Sequence, residues 1–137
     1  MIDYYNLNPW YSTFGFYGGG NLNAARKEKL GNFFHSAAGG FSQNLLLFRM
    51  KSPSWTLIVS DTICGLTTRT GHPFYTFNLD QLAEDKAAIH TLHRKRATVS
   101  FADGHTTMMT AAELGETPMQ VNITFDENLV KHDYRTP

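Results

Sequence analysis

An Asp-Gly pair between two β-compatible segments is the feature that most constrains how this chain can fold. Residues 97–102 and 105–110 are rich in β-branched and apolar types, and Asp103-Gly104 lies between them. A two-residue type I′ turn needs positive φ at both central positions, which Asp and Gly tolerate. The pattern therefore predicts a β-hairpin. In that register one apolar face carries Val99, Phe101, Thr106 and Met108.

Other segments predict the rest of the sheet and its helices. Residues 55–60 read as a central strand, and 119–125 alternate apolar and polar types with the period of a half-exposed strand. Asn23 and Gly31 are suited to begin and end a short helix. A second helix is predicted from Asn78 or Asp80 through Leu82, Ile89 and Leu92, and a short helix or turn at 111–114. We expect an α+β fold: an antiparallel sheet of about four strands (55–60, 97–102, 105–110 and 119–125) with one or two short helices on one face.

Length and charge bound what the chain can be. Its 137 residues predict a single globular domain spanning 1–137, and twelve basic residues balance twelve acidic ones. Balanced charge argues against nucleic acid as a partner. No apolar run reaches the roughly 18 residues that cross a bilayer, so we expect a soluble chain. The one cysteine, Cys64, excludes an internal disulfide framework.

The first twenty residues hold seven aromatic side chains without periodicity. We expect 1–20 to be an irregular segment whose rings pack on the domain. A sharper alternative is that these rings, Trp10 among them, form a patch that binds carbohydrate or peptide in the cell envelope.

A histidine, nine residues and an Asp-Gly pair give a recognisable phrase. His93 precedes Asp103-Gly104 by this spacing, and the segment 101–105 reads Phe-Ala-Asp-Gly-His. Upstream, Ser52-Pro53-Ser54 is followed by an apolar strand that ends at Asp61. The chain thus resembles the prepilin-type, processing-associated H-X9-DG family over roughly residues 50–110.

The resemblance implies a pseudopilin-like head that is exported and acts in the cell envelope, periplasmic or extracellular. It implies a non-enzymatic, pilin-like structural or binding subunit of a type II secretion or type IV pilus system. Its partners would be other pilin-like subunits or envelope proteins, with membrane contact only through an anchor helix. Family members carry a leader and an apolar helix ahead of the head. The sequence from Met1 shows neither, so we expect either a shortened chain or a product without an anchor.

His93, Asp103 and Gly104 are the expected structural signature, with Asp61 and His105 as lesser site candidates. We expect His93 to donate to a backbone carbonyl or to Asp103 and so fix the loop entering the hairpin. The alternative is a transition-metal site, because imidazole and carboxylate are metal ligands. Its candidate ligands are His90, His93, Asp103 and His105.

Other chemistry has weaker sequence support, and we expect no enzymatic activity, no catalytic residues and no cofactor. A calcium site would have to use scattered aspartates, because no EF-hand loop is present. Cys64 lies near His72 in the sequence, but a lone cysteine is usually a small apolar residue of the core. Sequence spacing cannot bring an acid, a base and a nucleophile together.

Overall fold

The computed structural model describes residues 14–18, 22–36, 43–64, 71–72, 74–80 and 87–134. Within these ranges the chain is mostly β, with two short α-helices and single 3-10 turns at Leu47–Arg49 and Pro53–Trp55. The helices are α1 (Ala24–Leu30) and α2 (Ala111–Glu116). The strands are β1 (Phe14–Tyr17), β2 (Phe34–Ser36), β3 (Gln43–Leu45), β4 (Leu57–Ile63), β5 (Thr76–Phe77), β6 (Ala88–Thr91), β7 (Arg96–Phe101), β8 (Thr106–Thr110), β9 (Ile123–Asp126) and β10 (Lys131–Asp133).

Eight strands form one mixed sheet. Its main path runs β10-β9-β6-β4-β1-β5, while β7 also pairs with β4 and β8 pairs with β7. Strands β5 and β9 run parallel to β1 and β6 respectively, and β2 and β3 form a separate pair. The predicted α+β fold, an antiparallel sheet of about four strands, is therefore wrong. The sheet is twice as large and is not purely antiparallel.

Strand β6, which sequence reasoning missed, has no period-2 pattern. All four residues of β6 are buried, and a strand covered on both faces shows no alternation. Its apolar Ile89 was read instead as part of a helix beginning near Asp80; residues 81–86 lie outside the described ranges. Strand β1 falls inside the aromatic segment predicted to be irregular, and it pairs with β4 in the middle of the sheet.

The first helix lies between the two residues predicted to begin and end it. The Asn23 side chain accepts a hydrogen bond from the Arg26 amide, and Gly31, at φ 91°, donates its amide to the Lys27 carbonyl. Both contacts satisfy backbone groups that a helix end leaves unpaired. None of the helices in the described residues is long and apolar enough to cross a bilayer.

The Asp-Gly hairpin exists, but its register differs from the predicted one. The Gly104 amide donates to the Phe101 carbonyl, and the Phe101 amide donates to the His105 carbonyl. Only Gly104 has positive φ, so the loop has three residues: a turn followed by a left-handed glycine. Val99 consequently pairs with Thr107 and Ala97 with Met109. This one-residue shift turns Thr106 and Met108 to the opposite face.

Apolar side chains fill both sides of the sheet where β6 and β9 meet. The main cluster lies on one face and includes thirteen buried residues. A smaller cluster, made of Ile63, Ala88, Ile123 and Phe125, lies on the other face. Neighbouring strand residues alternate between the two, since Ile89 belongs to the main cluster and Ala88 to the smaller one.

A buried guanidinium joins α1 to the rest of the core. The Arg26 side chain is fully buried and forms a two-pronged ion pair with Asp80, with contacts of 2.5 and 2.9 Å. It also donates to the carbonyls of Met119 and Gln120 at 2.5 and 2.6 Å. The Asn122 side chain donates from Nδ2 to the same carboxylate. One side chain thus fixes three separate parts of the chain.

We expect Arg26→Met to lower the free energy of unfolding by about 3–5 kcal/mol, because the Asp80 carboxylate and two backbone carbonyls lose the guanidinium that donates to them. Urea unfolding measures the loss, and Lys27→Met on the exposed side of α1 is the matched control. A change below about 1 kcal/mol in Arg26→Met would contradict this role.

We expect Gly104→Val to destabilise the fold by about 1 kcal/mol or more, because a β-branched residue resists positive φ. A Cβ at this position would meet no atom within 4 Å, so the loss is conformational and not steric. Gly104→Asn, which tolerates the left-handed region, should lose less. Equal melting temperatures for the wild type and the valine variant would rule out the turn's dependence on glycine.

Candidate functional site

Asp61 lies where strand β4 changes partners. β7 pairs with β4 as far as Ser60, and β6 pairs with it from Thr62 onward. Between these ladders the buried Asp61 carboxylate accepts the Thr98 amide at 2.9 Å. A side chain therefore satisfies a backbone donor at the position where the main-chain ladder is interrupted.

His93 begins the tight turn that joins β6 to β7. It exchanges two backbone hydrogen bonds with Arg96, and Arg94 and Lys95 between them have φ values of 53° and 62°. Two consecutive positive φ angles are typical of a type I′ turn, and this turn was not predicted because neither of its central residues is Gly, Asn or Asp. The half-exposed ring places Nε2 3.7 Å from Asp61 Oδ2. His93 therefore contacts Asp61, while Asp103, one of its two expected partners, pairs with His105.

Asp103 and His105 form a second, separate pair. One carboxylate oxygen of Asp103 accepts the His105 amide at 3.1 Å and lies 2.5 Å from its ring Nδ1. The imidazole also stacks on Phe101, with ring centroids 4.4 Å apart. The hydrogen bond from the His105 amide, with the ring contact, lowers the pKa of Asp103 below its ordinary value. The pair stiffens the hairpin loop.

His90 is the buried histidine of the site. Its side chain lies among the residues that surround Asp61, and its Nε2 atom has no hydrogen-bond partner in the described part of the chain. Burial lowers its pKa, although a hydrogen bond to the Asp126 backbone and the charge of Asp61 act in the opposite direction. His90 is therefore held in its neutral form.

A cavity of about 350 Å³ brings this group together. It is lined by Phe14, Asp61, Thr62, Ile63, His90, Leu92 and His93. The cavity presents one carboxylate and two imidazoles next to apolar side chains. Such a set can take up and release protons.

The four proposed metal ligands are divided between two places. His90 and His93 lie at the Asp61 cavity, whereas Asp103 and His105 pair with each other at the hairpin loop. Within the described ranges, no three His, Cys, Asp or Glu side chains form a group that could hold a metal ion. Cys64 is a buried residue packed with Phe74 and Ala87. Trp10, the key residue of the carbohydrate-binding alternative, lies outside the described residues.

A third carboxylate–histidine pair was not predicted. Asp126 Oδ2 lies 3.0 Å from His132 Nε2, and the other carboxylate oxygen accepts the amides of Asn128 and Val130. The ring contact and these amides lower the pKa of Asp126. The available signal was an aspartate followed by Glu127-Asn128, a common turn composition, directly after the predicted strand 119–125.

Comparison of this chain with protein-family models, with curated proteins and with solved structures found no match.

We expect stability to fall as the pH is lowered below about 6.5, the ordinary histidine pKa, because of His90. The sign follows from its lowered folded-state pKa: the unfolded chain takes up a proton that the folded chain resists. Urea unfolding at several pH values measures this effect, and His90→Gln should reduce the loss. An identical pH dependence in the wild type and the variant would contradict the assignment.

Proposed function

We propose that this chain is a non-enzymatic structural or binding subunit of a bacterial cell-envelope secretion or pilus system, of the H-X9-DG kind. The observation that carries the proposal is that the motif residues serve two reinforced turns of a sheet whose outer face exposes large apolar side chains. The predicted pilin-like fold is not part of the proposal, because the sheet is larger and mixed.

Both turns use the motif residues structurally. His93 opens the turn before β7 and lies against Asp61, while Asp103 and Gly104 shape the turn after β7. The two turns hold β7 at fixed ends between β4 and β8. The nine residues between His93 and Asp103 therefore span strand β7 and parts of the turns at its two ends. Such a spacing is expected of residues that shape the turns on either side of one strand.

The face beside β7 has the character of a binding surface. Register places Phe16 opposite Val59, Val59 opposite Ser100, and Ser100 opposite Thr106, so these side chains form one cross-strand row. Phe16 is 61% exposed at one end of the row. Phe14 and Met108, on the same face, are 48% and 43% exposed. Exposed aromatic and methionine side chains around central hydroxyls are typical of interaction surfaces.

The test is site-specific photo-cross-linking in the organism that encodes the chain. A benzophenone amino acid replaces Phe16, and the cross-linked proteins are identified by mass spectrometry. We expect envelope proteins that carry a prepilin-type leader and apolar helix. The same probe at Lys29, on the exposed side of α1, is the matched control.

Three results would contradict the proposal. One is cross-linking of Phe16 only to cytoplasmic proteins, and another is equal capture of prepilin-type partners from Lys29. The third is a transition metal bound at one equivalent per chain in protein purified without a histidine tag, which would favour a metal-binding function.

A further inference from the structure

Strand β8 lies at an edge of the large sheet. In the described residues it pairs with β7 and with no other strand. Thr106, Thr107 and Met108 are exposed. Edge strands in native proteins are usually protected by lysine, proline or a bulge, because their free backbone groups can pair with another chain. The segment Thr106–Thr110 has neither lysine nor proline.

The register shows which backbone groups of β8 face outward. The Phe101 amide donates to the His105 carbonyl, so this pair is hydrogen-bonded across the hairpin. Hydrogen-bonded and non-hydrogen-bonded pairs alternate along an antiparallel ladder. The N–H and C=O groups of Thr106, Met108 and Thr110 consequently point away from β7, towards the free edge.

One end of this edge is already occupied. The Thr110 amide donates to Glu113 Oε2 at 2.9 Å as part of the capping box of α2. Arg96 Nη1 lies 3.4 Å from the Met108 carbonyl, a long contact from a half-exposed side chain. A carbonyl has two lone pairs, so the Met108 oxygen can still accept another donor. The backbone groups that can still pair with another chain are therefore the N–H and C=O of Thr106 and the N–H and C=O of Met108.

We propose that β8 docks against β8 of a second copy of this chain, in an antiparallel arrangement with its twofold axis at Thr107. Thr106 of each copy then lies opposite Met108 of the other, and each such pair exchanges both of its N–H and C=O groups. The two β7–β8 hairpins join into one continuous sheet. The Thr110 cap on α2 is left intact.

The edge is complementary to itself in charge as well as in hydrogen bonding. Arg96 and Glu113 beside it carry opposite charges and lie 3.6 Å apart. In the proposed register these two side chains, near Thr110, face the hairpin loop of the other copy, where Arg96 meets the opposite charge of the Asp103 carboxylate. An extended strand of another protein could satisfy the same backbone groups, but a second copy supplies the matching spacing by symmetry.

The edge at β10 is a poorer candidate. It has three residues, two of them the charged Lys131 and Asp133. Charged side chains on a short edge strand oppose pairing with another chain. This contrast favours β8 over β10. The inference does not depend on the proposed envelope function, because it uses only the backbone geometry and charges of this hairpin.

The first test is disulfide trapping with Thr107→Cys. Two residues that face each other as a non-hydrogen-bonded pair have Cα atoms about 4.5 Å apart, within the range that a disulfide spans. We expect the variant to oxidise to a covalent dimer of twice the 15.4 kDa chain mass. Lys131→Cys, exposed on the β10 edge, is the matched control. The native Cys64 is fully buried.

The second test removes one outward-facing amide. Met108→Pro lacks the N–H group that the dimer needs but keeps the β7 ladder, since proline is tolerated on edge strands where that amide faces solvent. We expect light scattering to show a concentration-dependent dimer for the wild type and for Met108→Ala, and a monomer for Met108→Pro. Circular dichroism verifies that the proline variant is folded.

The outcomes separate clearly. Rapid trapping at position 107 with slow trapping at 131 supports the proposal even if the proline variant fails to fold. Equal trapping rates at the two positions, a wild type that stays monomeric at millimolar concentration, or a dimer that survives in folded Met108→Pro would each overturn it. None of these results bears on the cross-linking test at Phe16, so the two proposals can fail separately.

Discussion

The rest of the described structure depends on the ion pair and hydrogen bonds of the buried Arg26 guanidinium. A helix of seven residues is too short to be stable by itself, so α1 needs tertiary contacts. Arg26 supplies them by binding Asp80 and the carbonyls of Met119 and Gln120. A buried charge is tolerated when ion pairing and hydrogen bonds satisfy it, and costly when one partner is lost. The entry to β9 is fixed by the same contacts.

The large sheet uses a second polar device at its centre. Strand β4 pairs with three strands, and Asp61 satisfies the Thr98 amide at the point where one partner gives way to another. The turn beginning at His93 folds over this carboxylate. The cavity beside Asp61 thus lies at the point where β4 changes partners. The buried, neutral His90 adds a pH-sensitive group to the same place.

Carboxylate–histidine pairs recur at three separate places in the described chain, and each lies at or beside a turn. Asp61 with His93 borders the turn before β7, Asp103 with His105 stabilises the turn after it, and the third pair joins Asp126 to His132. Each pair reinforces the turn beside it, and the turns keep the strands of the sheet in position.

The sequence by itself determined helix α1, with its Asn23 cap and Gly31 end, and the location of the hairpin around Gly104. These features depend on neighbouring residues, whose spacing is readable. Tertiary structure alone decided that β6 is a strand and that His93 contacts Asp61, because burial on both faces removes periodicity and ion-pair partners come together from distant segments. It also decided the hairpin register. Asp-Gly permits a two- or a three-residue loop, and the three-residue loop places Met109 against the main cluster while Met108 stays exposed.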